Sequence, residues 1–145
     1  LRLLKQEHIH TCLDTAGVGL GDYTEILRHT DLILYDVKHV TESGYLDMTG
    51  QPMDQTQAFL GEAQRLGVPL WVRHVLVPGL TDGRAHLAQL KRFVVQRVEL
   101  LPYHLLGVHK YETMQLPYSL SGVPAMDQEK AAQLQEEFFP QFPST

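Results

Sequence analysis

Four short apolar runs, each passing into polar residues, recur along the chain. The second run shows little alternation, which is typical of a strand buried on both faces of a parallel sheet. The pattern therefore predicts four strands that carry polar groups at or near their carboxyl ends, as in a parallel barrel whose rim binds ligands. The runs are Ile9–Thr15, Leu32–Lys38, Leu70–Pro78 and Leu100–His104, with the last strand beginning at Val98.

Helical segments with an apolar stripe separate the predicted strands. Alternating strands and helices with right-handed crossovers predict an α/β fold in which helices cover the outer side of a parallel sheet. Four strands do not close a barrel, for which about eight is usual, so we expect a partial parallel (β/α) barrel with open edges. No Gly, Pro, Asn or Asp turns the chain between Phe93 and Val98, so its route there is not predicted. We expect helices to begin near Asp22, Glu42, Asp54, Thr81 and Met126. We expect residues 105–124 to form a turn-rich segment.

The composition is that of one globular domain. The chain has 145 residues, 43% of them hydrophobic and 20% charged, so we take residues 1–145 as a single domain with a core of its own. A formal net charge of −5 and the lack of a Lys/Arg run argue against a nucleic-acid partner. No apolar run approaches the ~20 residues of a membrane span, and no signal peptide is visible. Cys12 is the single cysteine, which excludes an internal disulfide and a CxxC metal site and fits a reducing cytoplasm.

Charged side chains follow the first two predicted strands. Asp14-Thr15 stands where the first strand meets a Gly-rich loop. The Asp14 carboxylate could accept hydrogen bonds from loop amides, or it could bind a hard cation or a positively charged ligand. Asp36 and Lys38 are alternate residues and share a face of an extended chain. They could form a surface ion pair worth about 0–1 kcal/mol, or hold a zwitterionic ligand with one charge each.

Two further polar residues belong to the third and fourth predicted strands. Arg73 lies within an apolar run and shares a face with Trp71 and Val75. A buried guanidinium without a partner is costly, so we expect Arg73 to meet an internal acid such as Asp36, or a ligand carboxylate or backbone carbonyl. His104 ends the fourth strand, where an imidazole can be structural or can donate to a ligand hydroxyl or ring nitrogen.

One alternative comes from the order of histidines. His8-Ile9-His10, Lys38, His74 and His104 are similar to the HxH, Lys, His, His order of metal-dependent amidohydrolase barrels. Barrel active sites lie at the carboxyl ends of the strands, whereas His8 and His10 precede or open the first strand. His74 also has the opposite parity to Arg73, so the two side chains face opposite ways. This alternative predicts zinc bound through His8 and His10.

Four motifs in order resemble the pyruvate formate-lyase-activating enzymes, which are radical S-adenosylmethionine (SAM) proteins. Three shorter matches extend the resemblance over nearly the whole chain. The four motifs are Ile9–Thr15, Tyr35–Lys38, Trp71–Gly79 and Glu99–His104, and the shorter matches are Met48–Gly50, Leu80–Asp82 and Leu106–Tyr111.

The resemblance implies strands three to six of a radical SAM (β/α)6 barrel. Such a protein uses a [4Fe-4S] cluster to cleave SAM, and the resulting radical removes hydrogen from a glycine of a partner glycyl radical enzyme. A one-electron reductant such as flavodoxin or ferredoxin and a cytoplasmic location are also implied. Matched residue by residue, the resemblance assigns SAM contacts to Asp36, Val37, Lys38 and His104, a monovalent cation site to Asp14, Thr15 and Asp36, and a contact with SAM or the glycine loop to Arg73.

Two motifs of that family are absent from this sequence. Neither the CxxxCxxC loop that ligates the cluster nor the Gly-Gly-Glu segment that holds the SAM amino group is present. Cys12 alone cannot hold a cluster that needs three protein thiolates. Leu1–Gln6 reads as the last turns of an amphipathic helix, so we expect the C-terminal portion of a longer activating enzyme, without catalytic residues and silent by itself. The alternative is a non-enzymatic truncated paralogue that binds SAM or the partner enzyme.

Overall fold

The described residues form a four-stranded parallel sheet with helices between the strands. A computed structural model describes residues 1–19, 21–93 and 96–142. The strand order in the sheet is β1-β2-β3-β4, so strands that follow one another in the sequence are neighbours. The pairs β1–β2 and β2–β3 are parallel, which confirms the predicted parallel α/β sheet. The strands are β1 (Cys12–Thr15), β2 (Leu32–Asp36), β3 (Leu70–Leu76) and β4 (Arg97–Pro102).

Seven α-helices occur within the described residues. Two 3-10 turns, Lys91–Phe93 and Leu105–Gly107, accompany them. The helices are α1 (Arg2–Gln6), α2 (Thr24–Leu27), α3 (Glu42–Thr49), α4 (Asp54–Arg65), α5 (Arg84–Leu90), α6 (Val108–Thr113) and α7 (Gln128–Phe138).

Helix α6 corrects the prediction of a turn-rich segment at residues 105–124. None of its residues is buried, so the segment lacks the apolar stripe by which the other helices were recognised.

Helix α5 begins later than predicted, because Thr81 and Asp82 form hydrogen bonds within the preceding loop instead. The Thr81 hydroxyl donates to the Val75 carbonyl at 2.7 Å and accepts from the Val77 amide at 2.8 Å. The Asp82 carboxylate accepts from the amide of Gly79 at 2.8 Å. The turn at 93–98 includes residues 94–95, which lie outside the described residues.

The chain divides into two compact units. The first comprises Leu1–Arg73 and Phe93–Val98, and the second comprises His74–Arg92 and Glu99–Thr145. In the first unit, Phe59 of α4 stacks on Tyr35 of β2 and meets Tyr23 edge to face, with ring centroids 6.0 and 5.2 Å apart. In the second unit, the Gln135 side chain of α7 accepts a hydrogen bond from the Leu100 amide of β4 at 2.7 Å.

Within the first unit, the two faces of the sheet differ in burial. Ile33 and Tyr35 of β2 are buried on one face, whereas Leu34 and Asp36 on the other remain half-buried. The expectation that this strand is buried on both faces is therefore wrong for the face that carries Leu34. In the parallel register, Leu34 lies beside Asp14 and Asp36 lies beside Arg73. Since paired residues of neighbouring strands point to the same face, the half-buried face gathers the charged candidates.

Candidate functional site

Arg73 joins two aspartates of different strands on the half-buried face. Its Nη2 donates to Oδ1 of Asp14 at 2.5 Å, and its Nε donates to Oδ1 of Asp36 at 3.1 Å. The side chains of Arg73 and Asp36 are 21% and 24% exposed, while that of Asp14 is 57% exposed. The guanidinium therefore neutralises two carboxylates at once, and it does so in a place that solvent and ligands can reach.

The register explains why one arginine reaches both acids. Arg73 lies beside Asp36 on the adjacent strand, but Asp14 belongs to β1, one strand further along. Neighbouring strands are about 4.8 Å apart, so the backbones of β1 and β3 are separated by roughly 10 Å. The long side chain crosses over β2 to span that gap. Of the three kinds of partner that the sequence left open, the structure shows an internal acid, and Asp14 joins Asp36 in this role.

Lys38 extends this arrangement by one more charge. Its Nζ lies 3.1 Å from Oδ2 of Asp36, whose other oxygen accepts from Arg73. Val37, between them, has a buried side chain, and its amide donates to the Arg73 carbonyl at 3.0 Å, continuing the β2–β3 pairing beyond Asp36. We call Asp14, Arg73, Asp36 and Lys38 the charged row, since acid and base alternate along it. A row of this kind offers both an acceptor for an ammonium group and donors for a carboxylate.

Thr15 differs from Asp14 in its surroundings. It follows Asp14 in an extended strand, so its side chain points to the opposite face of the sheet. Its hydroxyl accepts a hydrogen bond from the Gly17 amide at 2.9 Å, which shapes the loop after β1. The structure thus brings Asp14 and Asp36 together around Arg73 and gives Thr15 a role in the loop. A cation held by all three remains a prediction.

The loop after β1 is fixed from the buried side by residues that the sequence did not single out. The Thr56 hydroxyl of α4 donates to the Ala16 carbonyl at 2.7 Å. The Tyr35 hydroxyl in turn hydrogen-bonds to the Thr56 carbonyl at 3.0 Å and to its hydroxyl. Burial raises the pKa of Tyr35 to about 12, so its proton stays in place at physiological pH. The sequence did contain a signal for the role of Tyr35, because alternation along β2 places its side chain on the opposite face from Asp36.

His104 belongs to the second unit and is exposed. It follows the end of β4 and has extended backbone angles. Its neighbour Tyr103 is buried, and the Tyr103 hydroxyl lies 2.7 Å from that of Tyr118. Burial and this contact raise the pKa of Tyr118 to about 12. Tyr103 also bonds through its backbone, donating to Leu76 at 3.2 Å and accepting from Met126 at 2.8 Å. Tyr103 thus anchors the segment that presents His104. The meeting of His104 with Asp36 and Lys38 remains a prediction.

The histidines of the amidohydrolase alternative lie in separate places. His74 is 1% exposed, and its Nε2 lies 3.1 Å from Nε2 of His86 on α5. Residues of β3 alternate between the two faces of the sheet, so the side chain of His74 is buried while that of its neighbour Arg73 is half-buried. His8 and His10 are exposed and line a pocket before β1, together with Lys5 and Asp31. Among the described residues, no group of three or more His, Cys, Asp or Glu side chains is placed to hold a metal ion.

Cys12 is the one thiolate that this sequence offers to an iron–sulfur cluster. It is exposed on β1, and it is the only cysteine of the chain. The [4Fe-4S] cluster that the resemblance implies needs three protein thiolates, so the residues present here do not fit the cluster. The charged row, in contrast, has the donors and acceptors that suit a zwitterionic group such as the amino-acid part of SAM.

Sequence comparison finds relatives with one common name. The chain is 46% identical over 141 residues to the pyruvate formate-lyase-activating enzyme of Clostridium pasteurianum, covering 94% of this chain and 59% of that protein. It is 38% identical over 138 residues to the enzyme of the same name from Staphylococcus epidermidis, covering 87% and 55%. These matches confirm the resemblance found in the motifs. The chain spans little more than half the length of these relatives. No family model matches the sequence.

Solved structures show the same fold at low sequence identity. A domain of a pyruvate-formate lyase-activating enzyme from Bacteroides vulgatus superposes with a TM-score of 0.66 at 16% identity, covering 97% of this chain and 83% of that one. Coproporphyrinogen III oxidase from Escherichia coli, described as a radical SAM enzyme, gives 0.63 at 12% identity, covering 97% and 36%. The chain therefore shares the (β/α) barrel fold of these two proteins. In the part of the chain that is described, no helix is both long and apolar enough to cross a membrane.

Proposed function

We propose that this chain is the C-terminal portion of a radical SAM activating enzyme that generates a glycyl radical on a pyruvate formate-lyase. The proposal rests on the charged row, whose acids lie at or next to the carboxyl ends of β1 and β2, where barrel sites are built, while Arg73 reaches them from the middle of β3. The relatives' shared name supports the choice of target. The partners would be the glycyl radical enzyme and a one-electron reductant such as flavodoxin or ferredoxin, in the cytoplasm.

In this proposal the charged row binds the amino-acid part of SAM. The Asp36 carboxylate accepts from an ammonium group, and the cations of Arg73 and Lys38 attract a carboxylate. Val37 fixes the backbone between Asp36 and Lys38 by its bond to β3. His104 supplies a donor or acceptor for a hydroxyl or ring nitrogen of the nucleoside part. SAM, when bound beside a reduced cluster in the longer protein, supplies the radical that the activation needs.

Under the same proposal, the 145-residue chain by itself does not cleave SAM. The cluster's thiolates would have to come from residues outside this sequence, because Cys12 is the only cysteine here. What these residues contribute is binding and orientation of SAM. Reconstitution of the chain with iron and sulfide that produced a stable [4Fe-4S] spectrum and SAM cleavage would contradict this.

A second candidate function is that of a non-enzymatic paralogue which binds SAM or the partner enzyme. The observation that favours it is the same single cysteine beside an otherwise well-formed charged row. The coding sequence upstream of Leu1 separates the two. A CxxxCxxC motif followed by a Gly-Gly-Glu segment supports the activating enzyme, whereas a start codon near Leu1 supports the paralogue.

SAM affinity in the longer protein tests the binding residues. We expect Asp36→Ala and His104→Ala each to weaken SAM binding by about tenfold, since a hydrogen bond to a charged group contributes roughly 1.5–3 kcal/mol and one to a neutral group less. Isothermal titration calorimetry gives the dissociation constants directly.

Two matched substitutions serve as controls for this measurement. Asp47→Ala removes an exposed acid from α3, and His10→Ala removes an exposed imidazole that precedes β1. Both should leave the affinity for SAM unchanged. If Asp36→Ala and His104→Ala also leave it unchanged, the assignment of the SAM site is wrong.

A further inference from the structure

A groove of the first unit lies between helix α3 and the beginning of helix α4. Its volume is about 300 Å³, at the lower end of the roughly 300–1,000 Å³ range of ligand pockets, so it suits one side chain rather than a whole cofactor. Met53, which is 6% exposed, and Leu46, which is 51% exposed, give it an apolar wall. We call it the α3–α4 groove, and its lining consists of Glu42, Ser43, Leu46, Pro52, Met53 and Asp54.

The lining of the α3–α4 groove contains two acids and no base. Glu42 is the first residue of α3 and Asp54 is the first residue of α4, two positions where a negative charge is favoured by the helix dipole. Both residues are exposed, and neither carboxylate has a hydrogen-bond or ion-pair partner within the described part of the chain. An occupant that complements this groove therefore combines an apolar stem with a positive end, as a lysine or arginine side chain does.

The neighbouring acids of the same two helices do not share this arrangement. Glu62 of α4 already accepts hydrogen bonds from Arg65 and Thr24. Asp47 of α3 is exposed but does not line the groove. Glu42 and Asp54 are thus the acids of α3 and α4 that stand next to an apolar wall, and Asp47 provides a matched control for both.

The α3–α4 groove lies at the same edge of the sheet as the charged row. Helix α3 follows Lys38 through a short loop, which places Glu42 beyond the carboxyl end of β2. On α4, just after Asp54, the Thr56 hydroxyl donates to the Ala16 carbonyl in the loop after β1. The groove is therefore beside the carboxyl ends of β1 and β2, where the proposed function requires a protein substrate to approach.

We propose that the α3–α4 groove binds a lysine or arginine side chain of the partner glycyl radical enzyme. The aliphatic stem packs against Leu46 and Met53, and the cation pairs with Glu42 and Asp54. The inference rests on the proposed function, which supplies the partner, whereas the charge and shape of the groove supply the residue type. Such a contact holds the protein substrate beside the charged row without taking part in SAM binding.

Binding of two short peptides to the 145-residue chain tests the groove. The probes are a blocked pentapeptide with one arginine among alanines and the same peptide with citrulline, which keeps the shape of arginine without its charge. The methyl NMR signals of Leu46 and Met53 report binding. An exposed ion pair contributes a factor of about 1.5–5 to affinity. We therefore expect the arginine peptide to shift both signals and to bind about three- to tenfold more tightly than the citrulline peptide.

Three substitutions separate the contributions of charge and apolar surface. We expect Glu42→Gln and Asp54→Asn each to weaken binding of the arginine peptide about two- to fivefold, and Leu46→Ala to weaken binding of both peptides. Asp47→Asn is the control and should leave both affinities unchanged. The proposal is overturned if the arginine peptide shifts neither methyl signal of the unmodified chain, if both peptides bind equally, or if Asp47→Asn weakens binding as much as Glu42→Gln.

Kinetics of the longer protein test the identity of the occupant. We expect Glu42→Gln and Asp54→Asn to raise the KM for a pyruvate formate-lyase about two- to fivefold, with kcat and the dissociation constant for SAM within twofold of the unmodified values. An unchanged KM overturns the assignment of the groove to the partner enzyme. The peptide measurement needs neither SAM nor a cluster, so a failure of the groove is distinguishable from a failure of the proposed function, which appears as unchanged SAM affinity in Asp36→Ala and His104→Ala.

Discussion

At the scale of single residues, Gly17 shows how tightly the loop next to the charged row is built. It has φ of +78°, a region that residues with a side chain rarely adopt. A Cβ added there would lie 3.0 Å from the Tyr35 ring and 3.1 Å from Phe59. Glycine is therefore required both by the backbone conformation and by the close approach of the core. The same loop holds Thr15 through the Gly17 amide, so the core side of the sheet shapes the end of β1.

Replacing this glycine should be costly. We expect Gly17→Ala to lower the free energy of unfolding by about 1–3 kcal/mol, because it adds a strained φ and a clash with two aromatic rings. Urea unfolding followed by circular dichroism measures the change. Gly61→Ala is the matched control, since Gly61 lies within α4 and a Cβ there meets nothing within 4 Å. That control should be neutral or stabilising by up to about 1 kcal/mol, and equal losses in both variants would contradict the prediction.

At the scale of elements, α4 is the helix that ties the first unit together. Phe59 packs against Tyr23 and Tyr35, and Thr56 holds the loop after β1. Glu62 on the same helix accepts from the Thr24 hydroxyl of α2 at 2.8 Å and from Arg65 at 2.6 Å. The hydrogen bonds from Arg65, and after them the one from Thr24, lower the pKa of Glu62 to about 2.

The lowered pKa of Glu62 predicts a pH dependence of stability. A carboxyl group whose pKa is lower in the folded chain stabilises the fold above its ordinary pKa of 4.5 and loses that contribution as the pH falls toward about 2. We expect Glu62→Gln to weaken the fall in unfolding free energy between these two pH values. Chemical unfolding at a series of pH values measures the slope. Glu136→Gln, at an exposed position of α7, is the control and should leave the slope as it was; a slope unaffected by Glu62→Gln would refute the assignment.

At the scale of the whole molecule, the chain combines two compact units with a sheet whose strands follow the sequence order. We propose that residues 1–145 nevertheless form one domain. Trp71 reports on the first unit and the Tyr103–Tyr118 pair on the second. Fluorescence of the single tryptophan and the resolved NMR signals of Tyr103 and Tyr118 should therefore show unfolding at one denaturant concentration. Separate midpoints for the two signals would mean two domains.

Much of this molecule could be predicted from local pattern. The apolar runs that contain Leu32–Asp36 and Leu70–Leu76 predicted parallel strands, and the stripe that includes Phe59 and Ala63 predicted α4. Such features depend on the side chains of a few neighbouring residues, so the sequence suffices for them. Helix α6 was missed because none of its residues is buried, which leaves no periodic signal. The motifs around Asp14, Asp36, Arg73 and His104 likewise suggest the family from the sequence alone.

The charged row contains residues that the sequence singled out, but their ion-pair partners were determined only by the tertiary structure. From sequence alone, Arg73 needed a partner, Asp36 was one of several, and Lys38 shared its face. Only the pairing register could decide that Arg73 lies beside Asp36 and crosses β2 to Asp14, because residues 59 positions apart meet only when the strands are assembled. The packing of α5 likewise decided that His74, which alternation turns away from Arg73, lies next to His86. Residue types and their alternation are local properties of the chain, whereas the partner of a charge depends on which strand folds beside it.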